Sequence, residues 1–461
     1  MSRSMENKNL WSIRRKELHD VDKFAEEFKM FISRCKTERE CVADFTELAK
    51  AKGFKDLKDV IADGTQLVPG SKVYASHMGK TIIFFVVGSE DIEHGMNITG
   101  AHIDSPRLDL KPNPLYEEDG LALLETHYYG GIKKYQWVAL PLALHGVVCK
   151  RNGEKIAVTI GENPKDPVLG VSDLLIHLAQ KQMEKKGSVV VEGEDLNAMV
   201  GSIPLDGEEK EAVKKHILSI LSEKYDFNEK DFLSAELTLV PAGPARDYGI
   251  DRSMVMAYGQ DDKVCAYPAV RAIVDVQNPR HTCCCILTDK EEIGSVGATG
   301  AESRFFENSV AELMNAMGQY SELKLRRVLT NSQMISADVT AAFDPNYPDV
   351  EDKKNCAYAG QGMGFNKYTG ARGKAGSSDA NAEFVAKIRR IMDDANVNYS
   401  ISELGKVDAG GGGTIAYLMA NYGMDVIDCG VPVFNMHAPW EISSKIDIYE
   451  TWKGYEAFYQ Y

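Results

Sequence analysis

The stretch Thr282-Cys-Cys-Cys-Ile-Leu-Thr-Asp-Lys-Glu-Glu-Ile-Gly-Ser295 joins two kinds of sequence. Its first half is an unbroken apolar run of strand length, the pattern of a strand buried on both faces of a sheet. Its second half sets Glu291 and Glu292 just past the strand's carboxyl end and then turns at Gly294. Open α/β sheets bind ligands outside the carboxyl ends of their strands. Two adjacent glutamates there repel each other unless one holds a cation and the other holds or shares a proton. Taken alone, the pair reads more simply as a solvated acidic loop.

Outward from this stretch the α/β pattern continues on both sides. Downstream of Ile250, Met254 to Tyr258 reads as a strand and Gln260-Asp261-Asp262 as a turn. Cys265, Ala269, Ala272 and Val276 then share a helical face in which Pro268 should introduce a kink. A helix from Ser309 to Tyr320, a strand from Val328 to Ala337 ending at Asp338, and a glycine-rich loop at Gly410 to Gly413 follow. The strand Asp425 to Cys429 leads to Asn435-Met-His-Ala-Pro-Trp-Glu441, and a last helix presents Ile448, Trp452, Tyr455 and Tyr459. Upstream, Val21, Phe24, Phe28 and Phe31 recur at helical spacing, and Thr37 with Glu40 forms a capping-box signature. Thr81 to Val87 is an apolar strand, and a short strand from Met96 ends in His102-Ile103-Asp104.

Between about Leu110 and Arg246 the pattern changes. Strands at Val147 to Cys149 and Ile156 to Ile160 flank Asn152-Gly153, a strong hairpin signal. Helical stretches with charged outer faces are expected at Ser172 to Lys185 and Glu208 to Lys224. The expected organisation is an α/β domain built from residues 1–110 and 247–461, interrupted by an inserted domain at residues 111–246.

At 461 residues the chain exceeds one hydrophobic core, so two domains are the default. A formal charge of -15 argues against nucleic acid and against an anionic membrane surface. Consecutive strand residues face opposite sides, so Cys283, Cys284 and Cys285 cannot all pair, and the nine cysteines read as reduced. No CxxC pair occurs, which argues against a thiolate zinc site. Met1 to Trp11 is polar and charged with no apolar signal core, and no apolar run is long enough to span a membrane. The expectation is a cytoplasmic protein.

Five expected strand ends carry good metal ligands: His102, Asp261, Glu291-Glu292, Asp338 and His437. Parallel strands bring such ends to one edge of a sheet. Two imidazoles with carboxylates and no thiolate suit a pair of divalent first-row ions, which together activate water and clamp an oxyanion. In His102-Ile103-Asp104 the first and third residues face the same side, so Asp104 is placed to accept the imidazole's other N–H. Of the two glutamates, one is placed to ligate and its neighbour to take a proton from water.

These residues carry a resemblance. Gly100-Ala-His-Ile-Asp-Ser-Pro106 with Lys111-Pro112, Gly259-Gln-Asp-Asp-Lys263, Asp289-Lys-Glu-Glu-Ile-Gly-Ser295, Ser336-Ala-Asp338 and Asn435-Met-His437 resemble the aspartyl aminopeptidase family of two-metal metallopeptidases, in order and over nearly the whole chain. The resemblance implies a three-layer α/β, zinc-peptidase-like catalytic domain with an inserted, mostly-β oligomerisation domain. It implies two zinc ions per subunit, with cobalt or manganese compatible with the same ligands. Asp261 would bridge them, a choice over Asp262 that rests on the family pattern. His102 and Asp338 would complete one shell, and Glu292 and His437 the other. Glu291 would be the general base and Asp104 would orient His102.

Family members assemble as dodecamers, so a homo-oligomer is expected. Leu142-Ala-Leu-His145-Gly resembles a segment whose histidine reaches a neighbouring subunit's active site. Lys367 matches a family lysine near the substrate pocket, and Arg372 and Lys374 are weaker candidates in the same loop. The implied substrates are peptides with a free N-terminal Asp or Glu. Two departures bear on that preference: Ala438-Pro439-Trp440 stands where aspartyl enzymes carry Ser and Arg, and Ala416 stands where Gly is usual. The same chemistry with neutral or basic specificity is therefore the alternative. Other classes fare worse: the glycine clusters lack a phosphate-loop pattern, no G-x-S-x-G elbow occurs, and a silent shell protein should have lost a ligand or Glu291.

Overall fold

The computed structural model describes residues 9–461. Residues 1–8 of the polar N-terminal stretch lie outside the described residues. The chain divides into two compact units. The first comprises the residues up to Asp104, Ala245–Met436 and Glu441–Tyr461; the second comprises Ser105–Pro244 with His437–Trp440.

The first unit is built on a nine-stranded sheet of β1 (Lys55–Asp56), β2 (Lys72–His77), β3 (Thr81–Val86), β4 (Met96–His102), β14 (Thr282–Thr288), β15 (Gln333–Ser336), β17 (Met363–Asn366), β18 (Tyr399–Ser402) and β19 (Asp425–Gly430). The order is β1-β2-β3-β14-β4-β15-β19-β17-β18. At its centre β14, β4, β15 and β19 run parallel, so their carboxyl ends meet at one edge. Every residue of β14 is buried, as its apolar run requires. Cys283, Cys285 and Leu287 enter one hydrophobic core, and Cys284 and Ile286 enter the other. The strand's two-residue period thus divides the cysteine triplet between the two faces of the sheet.

Helices cover both faces. Leu18–Arg34, Glu38–Ala51, Gln260–Asp275, Ala382–Asp394 and Lys445–Gln460 contribute to the first core, and Phe305–Ala316 and Glu322–Asn331 to the second. The Thr37–Glu40 capping box is formed. A smaller five-stranded sheet in the same unit joins β12 (Arg246–Tyr248), β13 (Met254–Ala257), β16 (Thr340–Ala341), β20 (Pro432–Phe434) and β21 (Glu441–Ser444).

The second unit is organised on a seven-stranded sheet of β5 (Arg107–Glu118), β6 (Leu121–Tyr129), β7 (Leu142–Cys149), β8 (Lys155–Ile160), β9 (Gly170–Val171), β10 (Ala198–Gly201) and β11 (Ala235–Pro241). The Asn152-Gly153 signal is the turn of the antiparallel β7–β8 hairpin.

Three local expectations change. The expected strand Val328 to Ala337 is helix as far as Asn331 and strand only over Gln333–Ser336. Leu325, Val328 and Leu329 form a buried helical stripe behind the Ser321 cap, and this 3.6-residue period prevails over the β-propensity of Val328. Of the two helical stretches expected in the insert, the first reduces to short turns at Ile176–Leu178 and Gln180–Met183, with Ile176 and Leu178 exposed and no buried face to hold a longer helix. The second is Ala212–Tyr225. The helix carrying Pro268 has its non-helical residues at Asp261 and Asp262 rather than at the proline.

Candidate active site

The sheet edge brings three of the five expected ligand positions together. His102 ends β4, Glu291 and Glu292 follow β14, and Asp338 follows β15 by two residues. The other two come from elsewhere: Asp261 follows β13 and His437 follows β20, both strands of the five-stranded sheet. The expectation of a single parallel edge is corrected to this extent. Strands of the short second sheet lead to these two candidate ligands.

Ligand atoms of His102, Asp261 and Asp338 lie within 4.8 Å of one another. A second group with the same spread combines Asp261 with Glu292 and His437. Asp261 is common to both, and Asp262 belongs to neither. His102 is 2% exposed, with Nε2 3.1 Å from Asp261 Oδ1 and 3.9 Å from Glu291 Oε2. Its Nδ1 faces Asp104, 3.1 Å from the carbonyl oxygen and 3.3 Å from Oδ1. The Asp104 carboxylate also accepts the backbone N–H of Glu291 on one oxygen and that of Glu292 on the other, each at 3.2 Å. One buried carboxylate therefore orients the imidazole and the glutamate pair together.

The backbone explains how the glutamates reach this position. Lys290 (φ 68°) and Gly294 (φ 95°) both adopt the left-handed conformation on either side of the short turn Glu291–Ile293. Glycine takes that conformation without strain, which accounts for Gly294. Upstream, Asp289 accepts the Thr299 hydroxyl at 2.6 Å, and burial pushes its carboxyl up to about 6.

Two residues given no role in the sequence reading support the ligands. Glu441, 1% exposed, accepts the N–H of Asp261 on Oε2 at 3.1 Å. Asp262, fully buried, accepts the N–H of His102 on Oδ2 at 3.3 Å. Glu441 gave no sequence signal: it opens the short strand Glu441–Ser444, which carries a single apolar residue although all four residues are buried.

The electrostatics fit a cation. Burial raises the carboxyls of Asp262 and Asp338 well above the ordinary range, and neighbouring carboxylates add to the rise. Burial opposes protonation of His102, yet Asp104, Asp261 and Glu291 together raise its pKa well above normal. Oxygen and imidazole donors without a thiolate, crowded enough to hold protons they would otherwise release, match the donor set and charge deficit of a divalent first-row ion site.

His145, Lys367, Arg372 and Lys374 belong to neither ligand group. His145 on β7 is 2% exposed, with Nε2 3.1 Å from Glu162 Oε1. Lys367 and Lys374 both engage the Asp379 carboxylate, Lys374 at 2.9 Å, and Lys374 also stacks over the Tyr368 ring. Arg372 sits in the same loop with φ 45°. His437 Nδ1 is 2.9 Å from the Gly131 carbonyl oxygen, which leaves Nε2 for a metal.

An α/β sheet covered by helices on both faces, with candidate His and carboxylate metal ligands gathered beside its carboxyl edge, points to the class of metal-dependent hydrolases. The model of the family described as aminopeptidase I zinc metalloprotease (M18) matches residues 31–459. A probable M18 family aminopeptidase 1 from Clostridium acetobutylicum is 60% identical over 455 residues, covering 98% of each chain. The crystal structure of an M18 family aminopeptidase from Thermotoga maritima superposes with a TM-score of 0.94 at 46% identity, covering 99% of this chain and 100% of that one. The dodecameric mApe1 of S. cerevisiae shares the fold at 22% identity, TM-score 0.78, over 96% of this chain and 98% of that one. The chain belongs to the M18 family of zinc metallopeptidases, and it is a metallo-aminopeptidase.

Proposed function

We propose that the protein removes the N-terminal residue, Asp or Glu by preference, from peptides with a free N-terminus, using two zinc ions per subunit. The observation that carries this reading is the pair of ligand groups sharing Asp261. His102, Asp261 and Asp338 would hold one ion, and Asp261, Glu292 and His437 the other. When bound, the ions supply Lewis acidity that activates water and neutralises the developing oxyanion. Glu291 would take the proton from the attacking water and return it to the leaving amine. Asp104 fixes the His102 tautomer and the turn that carries Glu291.

The acidic preference is supported by Lys367 and Lys374 converging on one carboxylate, that of Asp379. A substrate carboxylate would replace Asp379 between them. In the family resemblance His145 completes recognition across a subunit boundary, and residues 111–246 form the oligomerisation domain of a dodecamer. Exposed Leu175, Ile176, Leu178, Met183 and Ile203 on the second unit support burial against another copy. A reducing, cytoplasmic setting is supported by nine free cysteines, eight of them buried.

The test is a panel of peptides differing only in the N-terminal residue, with and without chelator. Chelator-sensitive release of Asp or Glu above all others is the expected result. Release of Leu, Met or Lys instead would retain the chemistry and overturn the acidic preference. Metal analysis finding one zinc per active subunit would overturn the two-ion centre.

A further inference from the structure

Asp261 is common to both ligand groups, so whatever sets its carboxylate acts on both proposed ions at once. Local structure does not fix that setting. Asp261 and Asp262 have non-helical backbone angles and precede the regular part of the helix Gln260–Asp275. The first N–H groups of a helix have no partner within it, and a buried N–H needs one. Asp261 is buried, and its N–H donates to Glu441 Oε2 at 3.1 Å.

Glu441 is itself held at its backbone. It opens β21 and pairs in register with Ala257, the last residue of β13. The Gln260 side chain folds back over this corner. Its Nε2 donates to the Glu441 carbonyl at 2.6 Å and to the Val255 carbonyl at 3.1 Å, and its Oε1 accepts the Ser443 hydroxyl. Val255 and Ser443 are cross-strand partners in the same ladder, and Gln260, Glu441 and Ser443 are all buried. The residue before the shared ligand thus grips β21, and the first side chain of β21 grips the shared ligand. A neutral acceptor would satisfy the Asp261 N–H. A buried carboxylate costs desolvation, and what it returns is a stronger bond of fixed direction.

We propose that Glu441 is the positioning residue of the shared ligand: its Oε2 holds the Asp261 backbone so that one carboxylate faces both ions, and the affinities for the two ions depend on that bond together. This rests on the two-ion reading above. A residue acting through Asp261 differs in its signature from a member of either group alone, whose loss falls on one ion.

The test titrates zinc into the zinc-free full chain against a chromogenic chelator, for the wild type and for Glu441→Leu, Glu441→Gln and Glu441→Asp. Glu441→Leu should weaken both ions by about 10–100-fold, as when a group orienting a ligand is lost. Asp338→Asn and Glu292→Gln each alter one group and should weaken chiefly one ion. Glu441→Gln keeps an acceptor oxygen at the same reach and should recover most of the affinity. Glu441→Asp keeps the charge but is a methylene too short, and should not. The reverse order would show that Glu441 acts by its charge alone and would overturn the proposal. A loss confined to one ion, or undiminished affinity in Glu441→Leu, would overturn it too. If Glu441→Leu does not fold, the order of the Gln and Asp variants decides. A wild type holding a single zinc would overturn the two-ion reading, while a weaker hold on that zinc in Glu441→Asp than in Glu441→Gln would still uphold Glu441. A wild type that binds two zinc ions and releases no residue from any peptide would overturn the proposed chemistry alone.

Discussion

The Asp104 carboxylate stands 3.3 Å from His102 Nδ1 while its two oxygens accept the N–H groups of Glu291 and Glu292. One fully buried side chain thereby couples two proposed ligands and the proposed base. Asp104→Asn keeps the shape, removes the charge and replaces one acceptor by a donor facing an N–H. Zinc affinity should fall about 10–100-fold, as when a group orienting a metal-bound histidine is lost. Competition against a chromogenic chelator checks this; undiminished affinity would show that Asp104 does not orient the site.

Glu291 lies 3.9 Å from His102 Nε2, whereas the second ligand group contains Glu292 and not Glu291. Glu291→Gln should therefore retain zinc with little change in KM and lower kcat by about 10²–10⁴, the usual contribution of a general base. Glu292→Gln should instead lose metal. If zinc content falls in the first variant and holds in the second, the roles of the two glutamates are exchanged.

Much of the catalytic unit was legible because its signals are periodic and local. The β14 run, the Thr37 capping box and the β7–β8 turn each depend on residues a few positions apart. The origin of Asp261 and His437 in a second sheet was not legible, because strands of three or four residues carry too few side chains to declare a period. Glu441 was invisible for a different reason: its work is done by one oxygen on the N–H of a residue 180 positions away. The expected ligand positions that the structure gathers into two groups were legible because His and carboxylate residues at strand ends interrupt apolar runs.

Arg14 and Glu450 form a buried ion pair, Nη2 to Oε1 at 2.6 Å and Nε to Oε2 at 3.2 Å, with exposures of 4% and 0%. Glu450 also accepts the N–H of Asn398 at 2.7 Å. Arg14→Met leaves that carboxylate buried without its cation, a loss of about 3–5 kcal/mol. The expected result is a clear fall in the unfolding temperature of the first unit. Adding Glu450→Gln should recover part of it, because the stranded charge is removed. A double variant no better than Arg14→Met would place the loss in packing.

Asp447 is fully buried and accepts the N–H groups of Gly360 at 2.6 Å and Gly362 at 2.7 Å. Burial pushes its carboxyl up to about 8 against the pull of those donors, and the neighbouring Glu450 charge adds to the rise. In the unfolded chain the same group titrates near ~3.9. Between these values the folded state holds a proton that the unfolded state has released, so stability falls as pH rises. The contribution is fully present below about pH 4 and is lost by the time pH passes about 8. Asp447→Asn has no proton to lose and should be free of this slope. The Tm of the variant relative to wild type should therefore climb as pH is raised from 5 to 8. A difference that stays flat across that range would mean that the carboxylate is already ionised in the fold, with the Gly360 and Gly362 donors outweighing its burial.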